Sequence, residues 1–311
     1  MMLDVLVLLF AVAFDLAAGE MPAVLHPVVW MGRLLRLGVL LGPRRGKAGQ
    51  FIYGAALVFF VILLFGGAAF TLMRFLRTVN PAVYVVAGGI LLKSCFSIRE
   101  LARAAKRVKE SLLQNDIPQA RVNVRSLVSR ETASLDAPAI VGAAVESVAE
   151  NTSDSFVAPI FWFVLLGIPG AFIYRVANTA DAMIGYHDDF EYLGKFAARL
   201  DDVLNFVPAR ATGLLLVAAS WVSRLDVGGA WHIMLRDHGL TESWNAGWPM
   251  SAMAGSLNVR LEKAAHYKLG DAVKALTPQL IDDSVRVMSF AVAIWLLAAI
   301  GLEGVLGAIG A

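Results

Sequence analysis

Glu146, Glu150 and Asp154 recur at four-residue intervals in Ala144-Val-Glu-Ser-Val-Ala-Glu-Asn-Thr-Ser-Asp154, a spacing that predicts three carboxylates on one helix face. Like charges at that spacing destabilise a helix by a few tenths of a kcal/mol per pair. No basic residue between Glu131 and Arg175 relieves them locally. An oxygen-rich face of this kind suits Mg²⁺, a hard cation held by one or two carboxylates together with phosphate oxygens and water. The alternative is a solvated acidic helix face, but this one stands immediately before an uncharged apolar segment. Two further clusters repeat the chemistry within 65 residues. Arg175, Asn178 and Asp181 follow one another at helical spacing in Tyr174–Tyr186. In Ala198–Arg210, Asp201 and Asn205 share a helix face, Asp202 sits beside them, and Arg199 and Arg210 flank the group. Simpler readings are a capped helix end for the former and Arg–Asp anchoring for the latter. Arg236 with Asn245 makes a fourth group able to bind phosphate or amide, since the guanidinium fork matches phosphate. Small residues from Ala246 to Gly255 also fit a tightly packed helix pair there.

The elements that must position these groups are membrane helices. Of 311 residues, 58% are hydrophobic and 17% charged, and the mean hydropathy is +0.66. Soluble domains run near 45–50% apolar and about 25% charged, so the composition reads as an integral membrane protein in contact with a lipid bilayer. A net charge of +2 excludes nucleic acid as an expected partner, and a single cysteine, Cys95, excludes an internal disulfide framework. A spanning helix needs roughly 20 apolar residues. Phe51–Met73 is the clearest, followed by Val287–Leu302; Leu3–Gly19, Ala82–Ile98 and Val203–Ser223 are spans carrying polar residues. The N-terminal stretch lacks a basic leader region and carries Asp4 and Asp15, so it reads as a retained helix. Ser155–Tyr174 is uncharged but interrupted by Pro159 and Gly167-Ile-Pro-Gly170, a break that produces either a kinked span or a re-entrant pair of half-helices.

The expected fold is thus all-α and polytopic, a single integral membrane domain over 1–311 with about 5–7 membrane helices, counting a re-entrant hairpin at 155–174 as one option. Trp30–Gln50 has five basic residues and no acid, and Arg99–Glu131 has eight basic against four acidic. The positive-inside rule places both in the cytoplasm. Residues 99–154 form a cytoplasmic amphipathic and acidic helical region, in which Leu101, Ala105, Val108 and Leu112 make an apolar stripe beside a basic face suited to anionic headgroups. Residues 226–286 form a second, helical extramembrane region. Gly42-Pro-Arg-Arg-Gly-Lys47 imitates a phosphate-binding loop but is one residue short and lacks the Ser/Thr. The histidines show no metal-ligand spacing, and His26 before Pro27 reads as an interfacial capping or packing residue.

The same residues resemble the CobD/CbiB family, membrane proteins of cobalamin biosynthesis known as adenosylcobinamide-phosphate synthases. The matching text is Glu146-Ser-Val-Ala-Glu-Asn-Thr-Ser-Asp154, Ala158-Pro-Ile-Phe-Trp162, Tyr174-Arg-Val-Ala-Asn-Thr179, Asp181-Ala-Met-Ile-Gly185, Ala198-Arg-Leu-Asp-Asp-Val-Leu-Asn205 and Pro208-Ala-Arg210. Asp15, His26-Pro27 and Gly32 match near the start, and Arg236-Asp237, Asn245-Ala-Gly-Trp-Pro249 and Ala252–Gly255 near the end. The chain departs at Glu20, where the family has Asp, and at Ser129-Arg130-Glu131-Thr132, where it has Gly-Arg-Asp-Thr. Ser243-Trp-Asn245 and Leu261-Glu-Lys263 stand where the family has Ser-Pro-Asn and Leu-Gly-Gly.

The resemblance implies ATP- and Mg²⁺-dependent amide formation between adenosylcobyric acid, a corrinoid, and a phosphorylated aminoalcohol such as aminopropanol phosphate. Under it, Glu146, Glu150, Asp154, Asp181, Asp201 and Asp202 are the candidate catalytic acids, with Glu150, Asp154, Asp181 and Asp202 the candidate Mg²⁺ ligands. Arg199, Arg210 and Arg236 are candidate phosphate clamps. Asn151, Asn178 and Asn205 are placed to orient substrate amides, with Arg175, Asn245 and His26 as further binding residues. ATP is cytoplasmic, so both acidic clusters should share that side of the membrane, and under the resemblance the Gly-Ile-Pro-Gly break then favours a re-entrant hairpin over 155–174. Other cobalamin-biosynthesis enzymes and a second copy of the chain are the candidate protein partners. Two other readings compete: a non-catalytic relative similar to the signalling protein AmpE, which is expected to have lost part of the acidic set, and an ion-coupled transporter, whose acids would sit mid-span.

Overall fold

Apolar runs with few helix breakers give long helices, and prolines and capping residues set their ends. The computed structural model describes residues 2–185 and 191–309; the histidine at 187 lies outside them. In chain order the elements are α1 (Met2–Ala18), α2 (Pro27–Leu41), α3 (Lys47–Val79), α4 (Pro81–Lys93), α5 (Arg99–Leu113), α6 (Ile117–Val124) and α7 (Ala137–Thr152). A π turn (Ser153–Val157) leads into α8 (Ala158–Ile184), followed by α9 (Glu191–Val222), α10 (Val227–Asp237) and α11 (Gly247–Leu257). A short hairpin of β1 (Leu261–Lys263) and β2 (Tyr267–Leu269), antiparallel with Leu261 opposite Leu269, precedes α12 (Gln279–Ile309). Proline opens α2, α4, α6 and α7 within the first two helical positions, where its missing N–H costs nothing. Asn80, Asp116, Asp136 and Asp226 each accept backbone N–H bonds as N-caps.

Among the described residues, four helical stretches are long and apolar enough to cross a membrane: Lys47–Val79, Ala137–Ile184, Glu191–Val222 and Gln279–Val305, with Pro81–Lys93 a shorter apolar helix. The fold is all-α and polytopic, as expected, apart from the three-residue strands. Phe59, Phe60, Leu63 and Phe75 on α3 are more than half exposed, an outer apolar surface suited to lipid.

The chain divides into two compact units. The first takes in Met1–Ser97, Ala158–Asn205 and Ala299–Ala311; the second takes in Ile98–Val157 and Phe206–Ala298. In the first, α1 packs on α4, burying Val7, Leu8, Ala11 and Leu92, while α2 and α3 pack on α8. α8 is not one straight rod. Gly167 has φ 68° and ψ −160°, a conformation open essentially to glycine alone. A methyl group at Gly170 would collide with the carbonyl oxygen of Trp162. On a continuous helix, residues eight apart are separated by about 12 Å along the axis. The chain therefore reverses locally at Gly167-Ile-Pro-Gly170, at the break expected from the sequence.

In the second unit, α7 packs against α5, α6, α11 and β1, and is buried almost continuously from Ile140 to Ala149. The stripe on α5 is buried at Ala105, Val108 and Leu112 against this neighbourhood, and Arg103, Lys106 and Arg107 on its other face stay exposed. The apolar stripe of α5 is therefore part of the protein core. α10 and α11 approach closely: a methyl at Gly255 would collide with the Gly229 carbonyl oxygen. This is the tightly packed helix pair anticipated around Ala246–Gly255. The β-hairpin is an addition to the 226–286 region, which the sequence reads as helical.

Candidate functional site

The candidate residues fall into both units. In the second, α7 carries Glu146 and Glu150 one turn apart, and Asp154 lies in the π turn. That turn ends the α-helical register, so the regular face of acids stops at Glu150 and Asp154 is re-aimed. π turns interrupt helices most often at functional positions. Glu146 is 4% exposed, and an unpaired carboxylate there would carry a large desolvation penalty. Arg130 supplies the counter-charge, its Nη2 donating to Glu146 Oε2 at 2.9 Å. The relief absent from the neighbouring sequence comes from the loop that returns after α6. Tyr267 on β2 faces the same acids; burial and then the charges of Glu146 and Glu150 push its phenol above the ordinary range, which keeps it a donor. Asn151 donates to the Ser147 carbonyl at 3.0 Å and accepts from the Ser155 hydroxyl at 3.0 Å. Its amide braces the junction between α7 and the π turn.

In the first unit, α8 and α9 build a continuous polar chain. Arg175 Nη1 donates to Asn178 Oδ1 (3.1 Å), and Asn178 Nδ2 donates to Asp201 Oδ1 (3.3 Å). Asn205 Nδ2 donates to Asp201 Oδ2 (2.9 Å), and Asn205 Oδ1 accepts from the Tyr174 hydroxyl (3.0 Å). Both oxygens of Asp201 are thus held by amides. Asn178 and Asn205, expected to orient substrate, hold this carboxylate in the structure. Tyr174, fully buried, is the member that residue-by-residue reading missed, although it opens a matched motif. Asp202 points beside the group and pairs with Arg199 at 3.4 Å. Asp181 is half-buried one turn beyond Asn178.

The first unit also contains a charged cluster that spacing did not disclose. Lys93 and Asp15, both fully buried, pair at 3.0 Å, and Lys93 Nζ donates to Glu20 Oε1 (3.0 Å) and the Phe96 carbonyl (3.2 Å). Glu20, in the loop after α1, also accepts from Ser97 (2.5 Å) and from His26 Nε2 (3.3 Å). A carboxylate only accepts, so Nε2 of His26 carries the proton. Burial pushes the Glu20 carboxyl up, but the His26 and Ser97 bonds and the Lys93 ammonium outweigh it and hold the group at about 2. His26 is the N-cap residue of α2 with no side-chain cap bond; its ring secures the α1–α2 loop instead. A lone lysine in an apolar span needs a buried partner, and Lys93 is the signal of this cluster in the sequence.

The remaining candidates lie in the second unit. Arg210 Nη1 bonds Asn245 Oδ1 at 3.0 Å, and its guanidinium lies 3.6 Å from the Phe206 ring centroid and 5.0 Å from that of Trp248. The structure therefore joins Arg210 and Asn245. Arg236 grips Asp237 bidentately (2.7 and 2.9 Å) and Asp271 at 3.0 and 3.1 Å. Four of its five N–H donors are engaged in fixing α10 to the segment after β2. Asp237 also accepts from the Gly270 N–H (2.7 Å).

Among the described residues no three histidine, cysteine or acidic side chains converge as a metal-holding group. Magnesium does not require one, because it keeps several waters and leans on substrate phosphates with one or two carboxylates. The half-buried acids at Glu150, Asp154, Asp181 and Asp202 are the right donors for that kind of binding.

Residues 8–294 match the family described as CobD/Cbib protein. The chain is 47% identical over 297 residues to a cobalamin biosynthesis protein CobD of Dehalococcoides mccartyi, covering 96% of each. It is 43% identical to a probable cobalamin biosynthesis protein CobD of Methanothermobacter thermautotrophicus, over 97% of this chain and 98% of that one. A probable cobalamin biosynthesis protein CobD of Pyrococcus abyssi is 42% identical over 83% of each. No solved structure matches the chain.

Proposed function

The chain belongs to the CobD/CbiB family, and we propose that its part in cobalamin biosynthesis is the ATP- and Mg²⁺-dependent joining of adenosylcobyric acid to an aminoalcohol phosphate, giving adenosylcobinamide phosphate. The observation that carries the chemistry is a pair of tightly held acids: Glu146 buried against Arg130, and Asp201 held through both oxygens by Asn178 and Asn205. Fixing carboxylates in an apolar protein is expensive and marks functional positions. A carboxylate resists attack by an amine. In the proposed route the γ-phosphoryl group of ATP passes to the corrinoid propionate and ADP leaves. The amine then attacks the acyl carbon, inorganic phosphate departs, and one of the carboxylates takes the amine proton. Bound Mg²⁺ would neutralise phosphate charge during this transfer; Glu150 and Asp154 in the second unit, and Asp181 and Asp202 in the first, are the candidate donors, each pair within its own unit. Arg199, paired with Asp202, and Arg210, bonded to Asn245, are the candidate phosphate clamps; Arg236 keeps a single N–H to offer, and Arg175 sits behind Asn178 to fix its orientation.

The test is reconstitution. Purified protein in detergent, given adenosylcobyric acid, aminopropanol phosphate, Mg²⁺ and ATP, is expected to form cobinamide phosphate, followed by chromatography. Glu150→Gln and Asp202→Asn should each lower the rate by about a hundredfold or more, since a catalytic metal contributes several kcal/mol of charge stabilisation in the transition state. Folded wild-type protein that makes no product with aminopropanol, ethanolamine or threonine phosphate would overturn the reading.

A further inference from the structure

The second unit has a cleft of about 820 Å³ lined in part by Arg130, the partner of Glu146, and otherwise by residues to which none of the roles above is given. Its size falls within the few hundred to a thousand Å³ of small-molecule sites. The wall comes from the start of α7 and the segment before α12, with Gly142 and Leu276 facing each other across ordinary contact distance. Four cationic side chains line it: Arg130, Arg260, Lys263 and Lys274. Arg260 is drawn to Glu262 at 3.4 Å, whereas Lys263 and Lys274 form no ion pair among the described residues. Three acids line the cleft as well: Glu262 also pairs with Lys268, Asp136 caps α7, and Glu131 is exposed, so cationic side chains outnumber them four to three. Arg130 uses Nη2 on Glu146, and its Nε is buried without a hydrogen-bond partner among the described residues. Cations that ring a recess with small apolar walls match a ligand with an anionic end and a compact organic body.

The geometry points to this cleft as the binding site of a phosphate-bearing co-substrate, its phosphate received by Lys263, Lys274 and Arg130. Arg130 then links the ligand directly to Glu146, because a guanidinium with five N–H donors can serve a carboxylate and a phosphate together. The choice of co-substrates, a nucleoside triphosphate or an aminoalcohol phosphate, rests on the reaction proposed above; the phosphate chemistry rests on the cleft alone.

Calorimetric titration of the full chain in detergent with ATP, aminopropanol phosphate and inorganic triphosphate tests it. At least one of these is expected to bind, and the Lys263→Ala/Lys274→Ala double variant should weaken it about tenfold or more. Lys263→Arg/Lys274→Arg should retain binding within about threefold, and Lys106→Ala, on the exposed face of α5, should leave it unchanged. Binding of ATP and triphosphate identifies the nucleotide as the source, and binding of aminopropanol phosphate alone identifies the acceptor. No binding to the wild type, or affinity indifferent to both lysines, overturns the assignment. Product formation is scored separately: product with lysine-independent binding removes the cleft but keeps the reaction, while lysine-dependent binding without product does the reverse.

Discussion

At Lys93, an ammonium with no access to solvent is held by Asp15 and Glu20. Removing one partner of a buried pair costs about 3–5 kcal/mol, because the other charge is left uncompensated. Lys93→Met is therefore expected to lower unfolding stability by about that amount, and Lys93→Met/Asp15→Leu to recover most of it; chemical unfolding in mixed micelles measures both. Glu20 makes a separate prediction. Its folded pKa of about 2 lies below the ordinary value near 4.3. Its contribution is thus fully present above that unfolded value and is lost as pH falls through the folded one. The stability difference between wild type and Glu20→Gln should be flat from about pH 5 to 8 and shrink below about 4.5; a difference that grows with acid would contradict the assignment. At this scale the sequence disclosed which residues matter better than what each one touches. Glu146 was legible as a costly acid, but its partner Arg130 comes from a returning loop that helical periodicity does not follow. Asn178 and Asn205 were legible as amides near Asp201, but their donors could be assigned only once α8 and α9 were placed side by side.

α8 shows what pattern reading can and cannot determine about an element. Gly167-Ile-Pro-Gly170 announces a break, since proline and glycine both interrupt a helix, yet neither sets the angle. The reversal follows from φ 68° at Gly167 and from the contact between Gly170 and Trp162. Gly167→Ala should cost about 1–3 kcal/mol through backbone strain, and the neighbouring Ile168, buried against the core, leaves the turn little room to relax. Thermal unfolding that is unchanged in Gly167→Ala would contradict the hairpin. The stripe on α5 was readable because it repeats over three turns. The β-hairpin was not: strands of three residues carrying Glu262 and Lys263 give no alternation to detect.

For the whole molecule, composition alone pointed to the membrane class, and the motifs from Glu146 to Arg210 pointed to the family. The partition into two units was hidden, because the second is assembled from Ile98–Val157 and Phe206–Ala298, segments separated by 48 residues of chain. It places Glu146, Glu150 and Asp154 in one unit and Asp181, Asp201 and Asp202 in the other. The proposed reaction predicts that both sets lie on the side of the membrane that holds ATP. The single native cysteine, Cys95, is fully buried, so cysteines introduced at Glu150 and Asp181 can be read against a quiet background. Both are expected to react with a membrane-impermeant maleimide from the cytoplasmic side only; labelling from opposite sides would contradict that shared exposure. The central claim, activation of a carboxylate by ATP, is tested most directly with adenosylcobyric acid carrying ¹⁸O in the reacting carboxylate. Transfer of one ¹⁸O into the released inorganic phosphate, coupled to amide formation, is the predicted result. Label in AMP, or in neither nucleotide nor phosphate, would contradict it.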